Sequence, residues 1–331
     1  MKFTNQSKVL VTGACGFIGS HLVERLVESG CQVKVLVRYN SNNSWGNLEE
    51  LSPNILKSIE VVTGNIQDSF LVRKAVKGSD VVFHLAALIG IPYSFISPSS
   101  YIETNLQGTF NVLQACLDEG VSKIVYASTS EVYGTGQYTP IDEKHPLQAQ
   151  SPYAATKIAG DKLAESYYYS FQLPVAIARP FNTFGPRQSA RAIIPSVISQ
   201  ICSGQKTLRL GLLTPVRDFT YVKDMVEAFV ALAESDQVLG QAVNVGSGKG
   251  VTISEVVHEI INAMDSNVEI VCDEERMRPV RSEVQALVCN NSKIKALTGW
   301  APRYSLQDGL KDTIEYIERH INQYKVGVYN R

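Results

Sequence analysis

The chain reads as an α/β protein built on one parallel sheet with helices on both faces, and three observations carry that reading. Short apolar runs recur along the chain as far as Pro180. Longer segments with helical periodicity separate them. The first run is followed at once by glycines at a spacing of three, Gly13, Gly16 and Gly19. Strands covered on both faces need near-continuous apolar residues, and parallel strands need crossover helices between them.

The predicted strands are Lys8–Thr12, Val33–Arg38, Ile59–Thr63, Asp80–Leu85, Lys123–Ala127 and Val175–Pro180. The predicted helices between them are Phe17–Ser29, Asp68–Lys77, Thr104–Glu119 and Pro152–Phe171. In the third of these, Leu106, Phe110, Leu113 and Leu117 form one stripe, and Pro152 suits a first helical turn. After Phe181 the regularity weakens. Ile193–Cys202 predicts a helix, Thr207–Leu210 a short strand, Tyr221–Ala233 a helix and Ala242–Val245 a strand. Thr252 or Ser254 can cap a helix running through Met264, and Leu306–Ile321 is an amphipathic helix. We therefore expect a dinucleotide-binding, Rossmann-type domain in residues 1–181, with 217–245 returning to it. Residues 182–216 and 246–331 form a smaller α/β lobe that holds substrate.

Composition narrows the function. Lys and Arg number 31 and Asp and Glu 32, a net charge of -1, which argues against a nucleic-acid binder. No run of about 18 apolar residues exists, so no membrane span is expected. The six cysteines are scattered with no CxxC pair, and the five histidines show no metal-ligand spacing. A reduced, cytoplasmic chain without a metal is the expectation.

The glycines lie between a strand and a helix. Gly13 suits a tight turn, Gly16 a close approach to a pyrophosphate and Gly19 close helix–strand packing, with helix amides facing the phosphates. An acid at the end of the second strand would hold the ribose of NAD. Here Val37, Arg38 and Tyr39 supply none. Arg38 can meet a 2′-phosphate, stack on adenine or face solvent.

Tyr153 and Lys157 are four residues apart near the start of the long helix and so share a face. A lysine charge there is expected to lower the phenol pKa, making it a base for a sugar hydroxyl. Thr129, just after the fifth strand, can share that proton.

Taken together these motifs resemble the extended short-chain dehydrogenase/reductases that act on nucleotide sugars. The resemblance spans nearly the whole chain. It rests on GxxGxxG at 13–19, HLAA at 84–87, STSEVYG at 128–134, YxxxK at 153–157, RPFNTFGPR at 179–187, RDFTYVKD at 217–224, NVGSG at 244–248 and RP at 278–279. It implies that Gly13, Gly16, Phe17, Ile18 and Gly19 line the cofactor pyrophosphate. Asn65 and Ile66 would touch the adenine, with Asn65 standing where Asp is common. Leu85, Ala86, Ala87 and Pro180 would contact the cofactor. Thr129, Tyr153 and Lys157 would form the catalytic triad, while Asn182, Arg217 and Arg278 would hold the substrate diphosphate. The cofactor implied is NAD, with NADP as the alternative.

Within this family Glu131 is informative. The triplet Thr129-Ser130-Glu131 looks like that of 4,6-dehydratases and of nucleotide-sugar decarboxylases, although glucose-type dehydratases place Asp at the Ser130 position. The segment RYNSNNSWGNLE at 38–49 resembles dehydratases of legionaminic-acid-type pathways of cell-surface polysaccharide biosynthesis. The implied reaction converts UDP- or GDP-N-acetylglucosamine to a 4-keto-6-deoxy sugar. C4 is oxidised through Tyr153, Glu131 removes the C5 proton, the C6 hydroxyl leaves with help from Ser130, a water or Glu131, and the hydride returns to C6. A UDP-sugar 4-epimerase needs the same triad without Glu131. A UDP-uronic acid decarboxylase needs a cation for a C6 carboxylate, from Arg187 or Arg191. A non-catalytic NAD(P)-sensing protein is the fourth reading. The family commonly forms homodimers through the two long helices, here 104–119 and 152–171, where Tyr167–Tyr168–Tyr169 lie.

Overall fold

The computed structural model of the chain describes residues 2–277 and 279–326. Its main sheet has seven parallel strands: β1 (Lys8–Thr12), β2 (Gln32–Val37), β3 (Ile59–Thr63), β4 (Val81–His84), β5 (Lys123–Ala127), β6 (Val175–Pro180) and β7 (Ala242–Val245). Their order is β7-β6-β5-β4-β1-β2-β3. The chain moves outward from β1 in one direction and then restarts at β4 in the other. The crevice beyond the strand ends between β1 and β4 is therefore the switch point where such sheets bind ligands.

Alternation along the strands divides the core. Val9 and Val11 of β1 point to one face with Val33, Val35, Phe83, Val125 and Ala176, where the helices Phe17–Glu28 and Val222–Glu234 cover them. Leu10, Leu36, Val82, Ile124 and Ile177 point to the other face, under Val72, Val112, Leu113 and Ala164 of the helices Ser69–Val76, Gly108–Asp118 and Pro152–Phe171.

The expected helix over 104–119 is built differently. Helices at Ile91–Ile96 and Pro98–Tyr101 lead into a π-helical turn, Ile102–Gln107, and only then into Gly108–Asp118. The expected stripe holds in part: Leu113 is fully buried and Leu117 packs against the core, but Phe110 is 40% exposed, and Asn105, Gly108, Thr109, Val112 and Cys116 fill the rest of the buried face. The reason is close packing through small residues, since a Cβ at Gly108 would lie 2.5 Å from Ile66.

The return of 217–245 to the main sheet begins only at Val222: the strand Val216–Tyr221, which sequence periodicity did not mark, is the centre of a second sheet. It pairs with Asn182–Phe184 and Ala286–Leu287 in parallel and with Gly250–Thr252 in antiparallel. Thr207–Leu210 pairs separately with Glu269–Cys272. Of the two candidate caps it is Thr252 that starts the helix Ile253–Ala263, in a capping box with Glu255. No helix among the described residues is long and apolar enough to cross a membrane.

Candidate active site

The glycine loop follows β1 with Gly13 at φ 74, and a Cβ there would lie 2.6 Å from the Ala86 nitrogen. Only glycine satisfies both demands. A Cβ on Gly19 would run into the Gly13 carbonyl, so the helix packs directly on the loop. Gly16 is the N-cap of Phe17–Glu28, and no side chain caps that end. The first-turn amides of Phe17 and Ile18 therefore face the crevice without a side-chain acceptor, which suits a pyrophosphate. Leu85, Ala86 and Ala87, all half-buried, line the opposite lip. The Leu85 amide donates to the Thr12 carbonyl at 3.1 Å and the Ala86 amide to Thr12 Oγ1 at 3.3 Å. At the adenosine end Arg38 is exposed, and Asn40 closes the following loop by donating to the Ser44 carbonyl at 2.7 Å. Ile66 is buried, Asn65 is exposed with its amide on Gln67 Oε1 at 2.9 Å, and Pro180 is half-buried at the end of β6. The set fits a dinucleotide.

The reacting groups gather beyond β5. Thr129 accepts from the Glu131 amide at 3.2 Å, which starts a short 3-10 turn, Ser130–Tyr133. That turn buries Ser130 and leaves Glu131 half-buried. Tyr153 and Lys157 come from the first turns of Pro152–Phe171, which Ser151 caps through the Ala154 amide at 3.1 Å. Tyr153 is buried edge-on to Tyr101, with ring centroids 6.2 Å apart. Lys157 is 2% exposed, donates to the Ala127 carbonyl at 2.6 Å and sits 4.4 Å above the Tyr126 ring.

The expected lowering of the Tyr153 phenol pKa is overturned. Burial pushes it up, the Thr129 hydroxyl pulls it down, and Glu131, Tyr101 and Asp161 push it further up. Lys157 is itself pulled down to about 8 by burial, with Asp161 opposing.

A buried polar layer supports this floor, and sequence reasoning missed it. Thr109 donates to the Asn105 carbonyl at 2.6 Å, so it must accept from His84 Nε2 at 3.0 Å. His84 Nδ1 then accepts from Thr12 at 2.8 Å, and burial holds the ring neutral with a pKa near 3. Asn105 takes the Leu88 amide at 2.8 Å, returns a hydrogen bond to the Leu88 carbonyl at 2.9 Å and reaches Thr156 at 3.2 Å. The lip after β4 is thereby tied to the helix that carries Tyr153. Asp161 and Arg179 lie behind Lys157. The spacing of Asp161, four residues after Lys157, was the available signal.

The expected substrate residues divide. Arg191 is exposed, and its Nη1 would lie 3.5 Å from a Cβ on Gly90, beside Tyr101 at the cleft mouth. Asn182 is half-buried and in register with Phe219. Arg217 is buried, donating to the Val216 carbonyl at 3.0 Å and to Glu283 at 3.3 Å. Arg278 lies outside the described residues. Arg187 does not join them, which corrects the expectation. It sits at φ 67, a left-handed turn that aims it at Glu24, 2.9 Å away. There it lines a separate cleft of about 690 Å³ with His21, Tyr221 and Tyr316.

The family described as GDP-mannose 4,6 dehydratase matches residues 10–313. A UDP-N-acetyl-alpha-D-glucosaminuronate decarboxylase of Bacillus cytotoxicus is 35% identical over 321 residues, covering 94% of this chain and 98% of its own. The dTDP-glucose 4,6-dehydratase DesIV of Streptomyces venezuelae, solved with NAD bound, superposes with a TM-score of 0.86 at 29% identity, over 96% of this chain and 99% of its own. A UDP-N-acetylglucosamine 4-epimerase of Methanobrevibacter ruminantium does so at 0.86 and 29%, over 97% and 100%. A solved dehydratase and a solved epimerase thus share this fold from end to end, a decarboxylase matches the sequence over the same length, and the chain belongs to the extended short-chain dehydrogenase/reductase family of nucleotide-sugar epimerases and dehydratases.

Proposed function

We propose that the chain is an NAD-dependent nucleotide-sugar 4,6-dehydratase acting on UDP- or GDP-N-acetylglucosamine. One observation carries this choice within the family. A half-buried carboxylate, Glu131, stands near enough to Tyr153 for its charge to bear on the phenol. An epimerase needs no second base beside the tyrosine.

When bound across the glycine loop, NAD supplies the hydride-accepting chemistry at C4. Gly13, Gly16, Gly19 and the amides of Phe17 and Ile18 would hold its phosphates, and Ile66 and Leu85–Ala87 would line the rest of its site. Tyr153 takes the C4 hydroxyl proton. Thr129 stabilises the phenolate by hydrogen bonding and Lys157 by its charge. The 4-keto group acidifies C5, and Glu131 takes that proton as general base. Glu131, beside the buried Ser130 hydroxyl, returns the proton to the departing C6 hydroxyl, so the sugar loses one water; the hydride taken from C4 would then return to C6 and a solvent proton reach C5, leaving the 4-keto-6-deoxy sugar with no net oxidation. Asn182, Arg217 and Arg191 would meet the substrate diphosphate. Exposed Ile102, Phe110 and Tyr169 support pairing into a homodimer through the long helices, and the scattered, unpaired cysteines are consistent with a cytoplasmic setting.

A second reading has its own observation. Arg191 at the cleft mouth can meet a C6 carboxylate, as a uronic-acid decarboxylase requires. Mass analysis after incubation with a panel of nucleotide sugars separates the readings. Loss of water supports the dehydratase, loss of carbon dioxide the decarboxylase, and an isomer of unchanged mass the epimerase.

A further inference from the structure

Behind Lys157 lies a buried ion pair that the chemistry above leaves unused. Asp161 is fully buried one helical turn after Lys157, and Arg179 on β6 is 3% exposed. Arg179 Nε and Nη2 reach the same Asp161 oxygen at 2.9 and 2.8 Å. Arg179 is fixed from its other side by Tyr133, whose hydroxyl accepts from Nη1 at 2.9 Å and donates to Asn244 at 2.7 Å. The second Asp161 oxygen has no hydrogen-bond partner, and neither do the buried hydroxyls of Ser128 and Tyr126 beside it.

We propose that Asp161 is a positioning residue for the reaction: its carboxylate, anchored by Arg179, is the buried counter-charge that keeps Lys157 cationic beneath Tyr153. The proposal rests on reading Tyr153 and Lys157 as the proton-handling pair.

The groups around Lys157 leave few alternatives. Its own helix supplies Tyr153 and Asp161. From β5 come the Tyr126 ring and the Ala127 carbonyl, and from β4 comes His84, which is held neutral. From β6 comes Arg179, from the turn after β5 come Tyr133 and Glu131, and from the Pro98–Tyr101 helix comes Tyr101. Glu131 faces Tyr153, so Asp161 is the carboxylate that acts on the ammonium, and it alone opposes the effect of burial there. Burial pushes the Asp161 carboxyl up, while Arg179 and Lys157 favour its ionised form.

The charge count follows. Lys157, Asp161 and Arg179 together carry one positive charge, which a Tyr153 phenolate cancels. Without Asp161, two buried cations, Lys157 and Arg179, would be left without a carboxylate between them in the chain's charge balance. A guanidinium does not release its proton in proteins, so the ammonium would. A buried pair is a weak source of stability, which leaves its electrostatic effect on Lys157 as the reason for its place.

The test titrates Lys157 directly in the NAD-loaded protein, by NMR of lysine labelled with carbon-13 at Cε and assigned with Lys157→Met. Asp161→Asn should lower the Lys157 midpoint by about one pH unit or more, a tenfold change in its acid constant. Asp161→Glu should keep it near the wild-type value. Should Asp161→Asn not fold, Asp161→Asn/Arg179→Met removes both charges at once, which interiors tolerate better. Compared with Arg179→Met alone, the double variant isolates the carboxylate, and its midpoint should be the lower of the two. A midpoint unchanged in folded Asp161→Asn, or no lower in the double variant than in Arg179→Met, overturns the proposal. The alkaline limb of the pH–rate profile should move with the NMR midpoint. If no nucleotide sugar is turned over, the assigned reaction fails while the lysine titration still decides the role of Asp161.

Discussion

Replacing Glu131 by Gln removes one charge and almost no volume. The backbone amide that Thr129 accepts from is untouched, so the 3-10 turn and the fold should persist. The Glu131 charge raises the Tyr153 phenol pKa in the wild type. Its removal makes Tyr153 a more readily ionised group, and C4 oxidation should not suffer. The C5 proton, however, has lost its base. Removing a general base costs about 10²–10⁴-fold, equivalent to about 2.7–5.5 kcal/mol of barrier. Glu131→Gln should therefore reduce its bound NAD on mixing with substrate and then stall. Single-turnover absorbance of the reduced nicotinamide reads the first step, and product mass with C5 labelling in deuterated water reads the second. Net dehydration within about threefold of wild type would refute the role of Glu131 as base. Equal loss of oxidation and dehydration would refute the separation of roles between Glu131 and Tyr153.

Arg217→Ala should raise KM for the sugar nucleotide about tenfold or more, since a charged hydrogen bond contributes roughly 1.5–3 kcal/mol; NAD content measured after denaturation should stay constant, and an unchanged KM removes Arg217 from the site. Gly13→Ala places a Cβ against the Ala86 nitrogen at a positive φ that alone costs about 1–2 kcal/mol, so the purified variant should carry little nucleotide, whereas the wild type should release NAD. Full nucleotide occupancy in the variant, or mainly NADP from the wild type, would count against the reading of the loop. Burial holds the Lys157 pKa near 8, so its charge is present below that pH and lost above it. Turnover should fall as pH rises through about 8 in a pH–rate profile, and a rate flat to about pH 10 would show that the lysine charge is not needed.

The parallel sheet was legible because its strands are buried on both faces, which forces uninterrupted apolar runs such as Lys8–Thr12 and Lys123–Ala127. The glycine loop was legible because its demands are steric and local. The strand Val216–Tyr221 was not, because it carries Arg217 and Asp218 inward. Asp218 is satisfied there by the amides of Ser247, Gly248 and Cys289, which come from distant parts of the chain. The π-helical turn likewise depends on Asn105 reaching Leu88 and Thr156. The direction of Arg187 follows from a backbone angle that no periodicity reports. The catalytic spacing was visible, but the sign of the Tyr153 shift was not, because burial is a property of the whole assembly.

The late return of β7 to the sheet bears on how the protein is made and cut. Its backbone partners are on β6, Ala242 opposite Ile177 and Val245 opposite Pro180, and the chain between them builds much of the other lobe. While the polypeptide is being synthesised, β6 stays an open edge until residue 245 has emerged. The apolar face over Val125 and Ala176 waits for Met225 and Phe229. A fragment ending at residue 181 would keep the whole glycine loop yet expose a bare strand of Val175, Ala176 and Ile177. Such an edge invites pairing with other copies, so that fragment should precipitate instead of yielding a small nucleotide-binding domain.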